Sequence, residues 1–229
     1  NLLPLNIFSL YITVPYSFPE ESVLINVAPT IGVPETVTSS VTWSVKVPVE
    51  ETDVILANGM SCEDLQTAVN TASKIKLLKD IDLVTAVEVT TKVAIDLNGK
   101  TLTAKEDTEG NGIFMVKAGG DLTTNGEGTI DSACQTNDYS MAIWAKETGK
   151  VTINGGTFTN RGAKDKEDNG KANNNELIYA RDAAQVVING GEFIGNIDNE
   201  TYGARYTLNL RDQNTDTASI IVKGGTFEG

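Results

Sequence analysis

Histidine is entirely missing from these 229 residues, and its absence excludes more chemistry than any other feature of the composition. It removes the commonest general base near neutral pH and the usual ligand of zinc, copper and non-haem iron sites. A Ser-His-Asp hydrolase, a Cys-His protease and an H-E-x-x-H metalloprotease are therefore ruled out. Positive charge is scarce as well. Eighteen Lys plus Arg stand against 31 Asp plus Glu, for a net charge of −13, which opposes binding to nucleic-acid phosphates or anionic lipid. Two cysteines, Cys62 and Cys134, are too few for a disulfide framework and are read as unpaired. No apolar run is long enough to span a bilayer, and the first residues lack the charged region and cleavage site of a signal peptide. Because the chain opens on Asn1 rather than Met, the expectation is a trimmed or processed product whose export signal could have been removed.

What the chain does have is repetition. With 21 Gly and 40% hydrophobic residues it is an ordinary globular composition, and at this length it accommodates one large domain or two. From Val93 onward one phrase returns: VAIDLNGKTLT at 93–103, LTTNGEGTIDS at 122–132, VTINGGTFTN at 151–160, VVINGGEFIGN at 186–196 and IIVKGGTFEG at 220–229. Taking Thr101, Thr129, Thr157, Glu192 and Thr226 as equivalent gives steps of 28, 28, 35 and 34 residues. Within each copy the residues alternate, with Val151, Ile153 and Phe158 on one side and Thr152 and Asn154 on the other. The Gly pairs at 155–156, 190–191 and 224–225 permit positive φ and a sharp corner between strands. A second strand family lies in the middle of each repeat: IFMVK at 113–117, AIWAK at 142–146, LIYAR at 177–181 and TLNLR at 207–211. No repeat has enough apolar surface to fold alone, so the repeats are expected to stack as parallel strands about 4.8 Å apart, merging Val, Ile and Phe into one core.

The run AVNTASKIKLLKDIDL at 68–83, followed by VAIDLNGKTLT and the NGGTF copies, resembles the right-handed parallel β-helix of pectin-lyase-like repeat proteins. The resemblance covers residues 61–229. It implies an all-β fold, and it says little of activity, because that architecture carries lyases, glycosidases, tailspikes and adhesins alike. The first coil of such a helix exposes an unpaired strand edge that must be covered, and SCEDLQTAVNTAS at 61–73 suits a short capping helix. Ser61 is the expected N-cap, Asp64 follows three residues later, and Leu65, Ala68, Val69 and Ala72 form one apolar face. At Gly229 the repeats stop without a cap, so the expectation is that more chain follows or that another subunit covers the end.

Residues 1–59 differ from the β-helical 60–229. They hold Lys46 alone against six acids, five of the six prolines lie between Pro4 and Pro34, and the pattern is strand. One phrase occurs twice, as LYITVPYSFPEESVLINV at 10–27 and WSVKVPVEETDVILAN at 43–58. If this is a duplication, two similar units per chain in a three-fold assembly present six around an axis, matching a six-fold partner such as a capsid hexamer. A β-rich module of this sort ahead of a β-helix resembles the attachment base of a bacteriophage head fibre. On that resemblance Tyr11, Tyr16, Phe18 and Trp43 are the expected capsid-attachment residues.

Alternation places Met115, Trp144, Tyr179 and Asn209 outward at one position of successive repeats, with Lys117, Lys146, Arg181 and Arg211 two residues later and Glu147, Asp182 and Asp212 next. Such a strip suits stacking against a sugar ring or a subunit interface rich in aromatics and Arg, and equally a salt-bridge ladder worth about 0–1 kcal/mol per exposed pair. The longer steps come from insertions at 161–176 and 196–206, and Tyr202 and Arg205 join the candidates for glycan or subunit contact because loops on one side of such a column carry recognition. Carboxylate chemistry is the one enzymatic route left open. Asp96, Asp131 and Asp182 are its possible members, and Asn214-Thr215-Asp216 spells a tripeptide found in β-helical polygalacturonases. The other signatures of that family are absent, so the tripeptide reads as a turn. The acidic run at 161–176 lacks calcium-loop spacing and reads as a solvated loop.

The sequence thus leads to a non-enzymatic structural protein with no cofactor and no metal. The expected molecule is a homotrimeric appendage on a virion surface, attached to a capsid protein through residues 1–59, with surface glycans as further partners and neither nucleic acid nor membrane. A bacterial cell-surface adhesin and a polysaccharide lyase or glycosidase are the alternatives.

Overall fold

A computed structural model describes residues 23–27, 41–45, 55–57, 60–62, 64–132, 141–160, 175–195 and 205–228. The chain divides into two compact units, Asn1–Glu50 and Glu51–Gly229. In the first unit Val23–Val27 pairs antiparallel with Val41–Val45, Ile25 opposite Trp43. Tyr11, Tyr16 and Phe18, like most of both copies of the repeated phrase, lie outside the described residues.

The second unit is all-β apart from one short helix, and its sheets are parallel except at their start. The strands fall into three ladders, and each repeat after the first contributes one short strand to each. The valine ladder stacks Lys74–Leu77, Lys92–Asp96, Asp121–Asn125, Lys150–Ile153, Gln185–Ile188 and Ser219–Val222 in that order. A single long strand, Lys100–Val116, belongs to both other ladders. Its beginning pairs with Gly128–Asp131, on which Thr157–Thr159, Glu192–Ile194 and Thr226–Glu228 follow as the threonine ladder. Its end pairs with Ile143–Ala145, followed by Asn175–Ala180 and Arg205–Leu210 as the aromatic ladder. The register joins Thr101 to Thr129, Thr129 to Thr157, Thr157 to Glu192 and Glu192 to Thr226. These are the 28, 28, 35 and 34 residue steps expected from the repeats.

An additional rung lies before the first recognised repeat. Ile75 pairs with Ile95, Ile81 with Leu102 and Val87 with Phe114, so Lys74–Leu77 and Ile81–Val89 start all three ladders. The strand Ile81–Val89 shifts register between Leu83 and Val87 to follow both ends of Lys100–Val116.

Alternation explains the interior. Val93, Leu122, Val151 and Val186 stack from the valine ladder, Leu102, Ile130, Phe158 and Phe193 from the threonine ladder, all within one buried cluster. Phe158, Phe193 and Phe227 stack with centroids 5.0 and 4.8 Å apart and rings within 10° of parallel. Each fully buried ring contributes about 1.5–3 kcal/mol. No further rung covers Ser219–Val222 and Thr226–Glu228 among the described residues, and Val222 and Phe227 are accordingly 47% and 42% exposed.

The opening edge is covered by two devices. Ile55–Ala57 pairs antiparallel with Lys74–Leu77 and turns back through Met60–Cys62, hiding the edge of the valine ladder. The helix Leu65–Thr71 buries Leu65, Ala68 and Val69, the apolar face expected for it, and Ala72 at its C-cap is buried too. Its N-cap is Asp64 and not Ser61, a correction with a simple cause. Ser61 is held in the hairpin opposite Leu56, whereas Asp64 Oδ1 accepts the amides of Gln66 and Thr67 at 2.7 and 3.2 Å, as a helix start requires. From the helix Gln66 meets Glu88 twice, Nε2 donating to the Glu88 carbonyl at 2.9 Å and Oε1 accepting its amide at 2.7 Å. One side chain thereby satisfies the backbone of Glu88 at the exposed edge where the aromatic ladder begins.

Candidate functional site

The outward column of the aromatic ladder is the strip singled out from the sequence. Met115 pairs with Trp144, Trp144 with Tyr179, and Tyr179 with Asn209. The extra rung adds Glu88 beside Met115. Flanking side chains are inward, so Met115, Trp144, Tyr179 and Asn209 stand on the outer face, half-buried, with Glu88 exposed beside them. Trp144 and Tyr179 stack with centroids 6.5 Å apart and planes 26° from parallel. Lys146 Nζ lies 4.8 Å from the Trp144 centroid, within cation–π range. The indole therefore already has an aromatic and a cationic neighbour from its own chain, while its Nε1 is buried without a hydrogen-bond partner among the described residues.

Two residues further along, the strands end in turns, where Lys117, Lys146, Arg181 and Arg211 donate their amides to the carbonyls of Val89, Val116, Ala145 and Ala180 on the preceding rung. Acids follow, and they serve the backbone. A Glu147 carboxylate oxygen accepts the Ala118 amide at 3.0 Å, and Asp182 Oδ2 accepts the Glu147 amide at 2.9 Å. Glu147 and Asp182 both adopt positive φ, 57° and 61°. That conformation is strained for side-chain-bearing residues, and it leaves amides that each carboxylate of the next rung satisfies. The third acid in the series is Asp216. The Asp212 expected from spacing does not take this role, because a turn at 213–216 closed by the Asp216 amide on the Gln213 carbonyl carries Asp216 back under Arg211. Arg211 grips Asp216 through Nε–Oδ2 at 2.5 Å and Nη2–Oδ1 at 2.8 Å, and reaches Asp182 Oδ1 at 2.7 Å.

These contacts set the titration of the strip. The Arg211 side chain beside Asp216 holds its carboxyl below the usual carboxylate range. The Glu147 amide, then Arg181, does the same for Asp182. Burial pushes the Tyr179 phenol up. Lys117 pairs with Glu88 at 2.6 Å and Arg181 with Asp182 at 3.2 Å, so the cations of the strip are matched within it.

Glu176, three residues before Tyr179, gave no signal in the sequence. It is only 4% exposed. One carboxylate oxygen accepts Asn209 Nδ2 at 2.9 Å, the other is buried without a partner among the described residues, and burial raises its pKa. A second feature missed from sequence is an amide ladder at the corner after the valine strands, where Asn189 Nδ2 donates to Asn154 Oδ1 and Asn154 Nδ2 to Asn125 Oδ1, each at 2.8 Å. Its signal was the recurring Asn before Gly.

The remaining candidates are not gathered with the strip. Asp96 accepts the Asn98 amide at 3.0 Å in the second rung of the valine ladder, and Asp131 lies on the threonine ladder, so the acids considered for catalysis sit on different ladders. The Asn214-Thr215-Asp216 tripeptide is the turn just described. Tyr202 lies outside the described residues, and Arg205 opens the strand Arg205–Leu210 opposite Asn175. Trp43 pairs by backbone in the first unit. No group of three or more acids or cysteines is placed to hold a metal ion among the described residues. Compared with protein-family models, with curated proteins and with solved structures, the chain finds no match.

Proposed function

We propose that this chain is a structural virion appendage, a head fibre or capsid decoration. Its repeats close into a right-handed parallel β-helix that projects outward as a homotrimer. Residues 1–59 attach it to a capsid protein, with Tyr11, Tyr16, Phe18 and Trp43 as contact residues. The observation that carries the reading is the way polar groups on the best candidate site are used. Glu147, Asp182 and Asp216 are tied to backbone amides and to Arg211, which is what stiffness needs and what acid–base catalysis does not. Passive rigidity also fits three parallel ladders around one stacked core. Surface glycans remain proposed partners at the rim of the strip, through Tyr179, Arg181 and Arg211, with Trp144 contributing less because its ring already meets Tyr179 and Lys146.

Electron-microscope imaging of the whole chain tests this. Particles with three-fold symmetry and a base carrying a projecting column are the expected result, and isolated single columns would point instead to the cell-surface adhesin reading. For the lyase or glycosidase reading, Asp131→Asn and Asp182→Asn are the informative variants: any polysaccharide turnover by the parent that both abolish would displace the structural proposal.

A further inference from the structure

The two ladders flanking the Asn-Gly corner carry opposite charge on their outer faces. Outward positions of the valine ladder hold Lys74, Lys76, Lys92, Lys150 and Lys223 against Asp96 and Asp121, a surplus of three positive charges in a chain of net charge −13. Above Lys74, which pairs with Ala94, the middle of that face is uncharged, with Ala94, Thr123, Thr152, Val187 and Ile221 stacked by register, and Ile221 is 49% exposed. Outward positions of the threonine ladder hold Asp82, Asp131, Glu192 and Glu228 among threonines and Ile194, while the cations of these strands are Lys100 at the corner and Lys105 further along Lys100–Val116, which leaves the acids in excess. On the valine face Lys92 meets Asp121 at 3.7 Å, and on the aromatic face Lys117, Lys146, Arg181 and Arg211 each meet an acid of that same face.

Resting on the trimer reading above, we propose that the subunit seam is heterologous: the valine-ladder face of one copy lies against the threonine-ladder face of the next. A contact between two different patches of one chain closes into a ring when the rotation permits, and opposite potentials steer and register such faces. Because the two faces share a corner, that corner turns toward the ring axis. It is built for close approach, with Gly155-Gly156, Gly190-Gly191 and Gly224-Gly225 on successive rungs, and its charged residues in the lower rungs, Lys79 with Asp80 and Lys100 with Glu127, balance in sign. The aromatic strip then faces outward, free of the seam.

Reversing charge one face at a time tests the seam. Lys150→Glu and Glu192→Lys change exposed strand residues on adjacent rungs, and each is measured in the whole chain by light scattering over a dilution series, with circular dichroism to show that the fold persists. Each single change should raise the concentration at which the trimer dissociates by about tenfold or more, and the double change, which restores opposite signs, should recover most of that loss. Should either reversal disturb folding, Lys150→Gln and Glu192→Gln in a salt series read the same contact. A trimer of unaltered strength in both single variants overturns the seam and leaves the trimer standing. A parent chain that is monomeric at all concentrations overturns the trimer itself.

Discussion

Glu176 and Asp216 are both carboxylates close to the outer strip, and their environments drive them in opposite directions. Burial raises Glu176 above the ordinary carboxylate value, so the folded chain holds its proton more tightly than the unfolded chain. The resulting penalty is absent below the unfolded pKa and grows as pH rises through the folded one. Glu176→Gln is therefore expected to raise Tm at pH 8 and to leave it nearly unchanged at pH 3, and equal shifts at both values would refute this. Asp182 and Asp216 are lowered. Their contribution is present above the ordinary carboxylate range and is lost as pH falls through the lowered values. Arg211→Gln removes the largest cause acting on Asp216, so the midpoint of acid unfolding should move to higher pH, while an unmoved midpoint would show that Arg211 is dispensable. Of these residues, alternation alone identified Trp144, Tyr179 and the cation column, because a strand's period is two whatever surrounds it. Asp216 was hidden because the turn at 213–216 breaks the spacing that made Asp212 the expected acid. Glu176 was hidden because burial of a single acid leaves no mark in sequence.

At the level of elements, the corner and the stack carry the load. Gly191 has φ of 112°, and a Cβ there would lie 2.9 Å from the Gly156 carbonyl oxygen. Gly191→Ala should cost about 1–3 kcal/mol, read as a lowered urea midpoint with unchanged slope. Phe193 sits between Phe158 and Phe227, and Phe193→Ala should cost about 3–5 kcal/mol. At the helix, Asp64→Ala should cost about 1 kcal/mol, whereas Ser61→Ala should leave helix stability unchanged. The repeat steps were legible because each corner keeps Asn or Lys before paired Gly from residue 154 onward, and the loose LTTNGEGTIDS copy was recognisable by its alternation. The first rung was not, since its pairings are offset by 20, 21 and 27 residues from the next and it lacks the Gly pair. Nor was the joining of two ladders by Lys100–Val116, because the sequence shows two strand phrases there with nothing to mark the backbone between them as extended.

For the whole molecule, a chain of net charge −13 repels its own copies unless opposite charges are sorted onto different faces, and the valine and threonine ladders do sort them. The most direct measurement is the solution mass of the intact chain by light scattering across dilution, at low and high salt. The account predicts three times 24.4 kDa at low salt, with dissociation at a higher protein concentration as salt screens the seam. A mass of 24.4 kDa at every concentration and salt would contradict it.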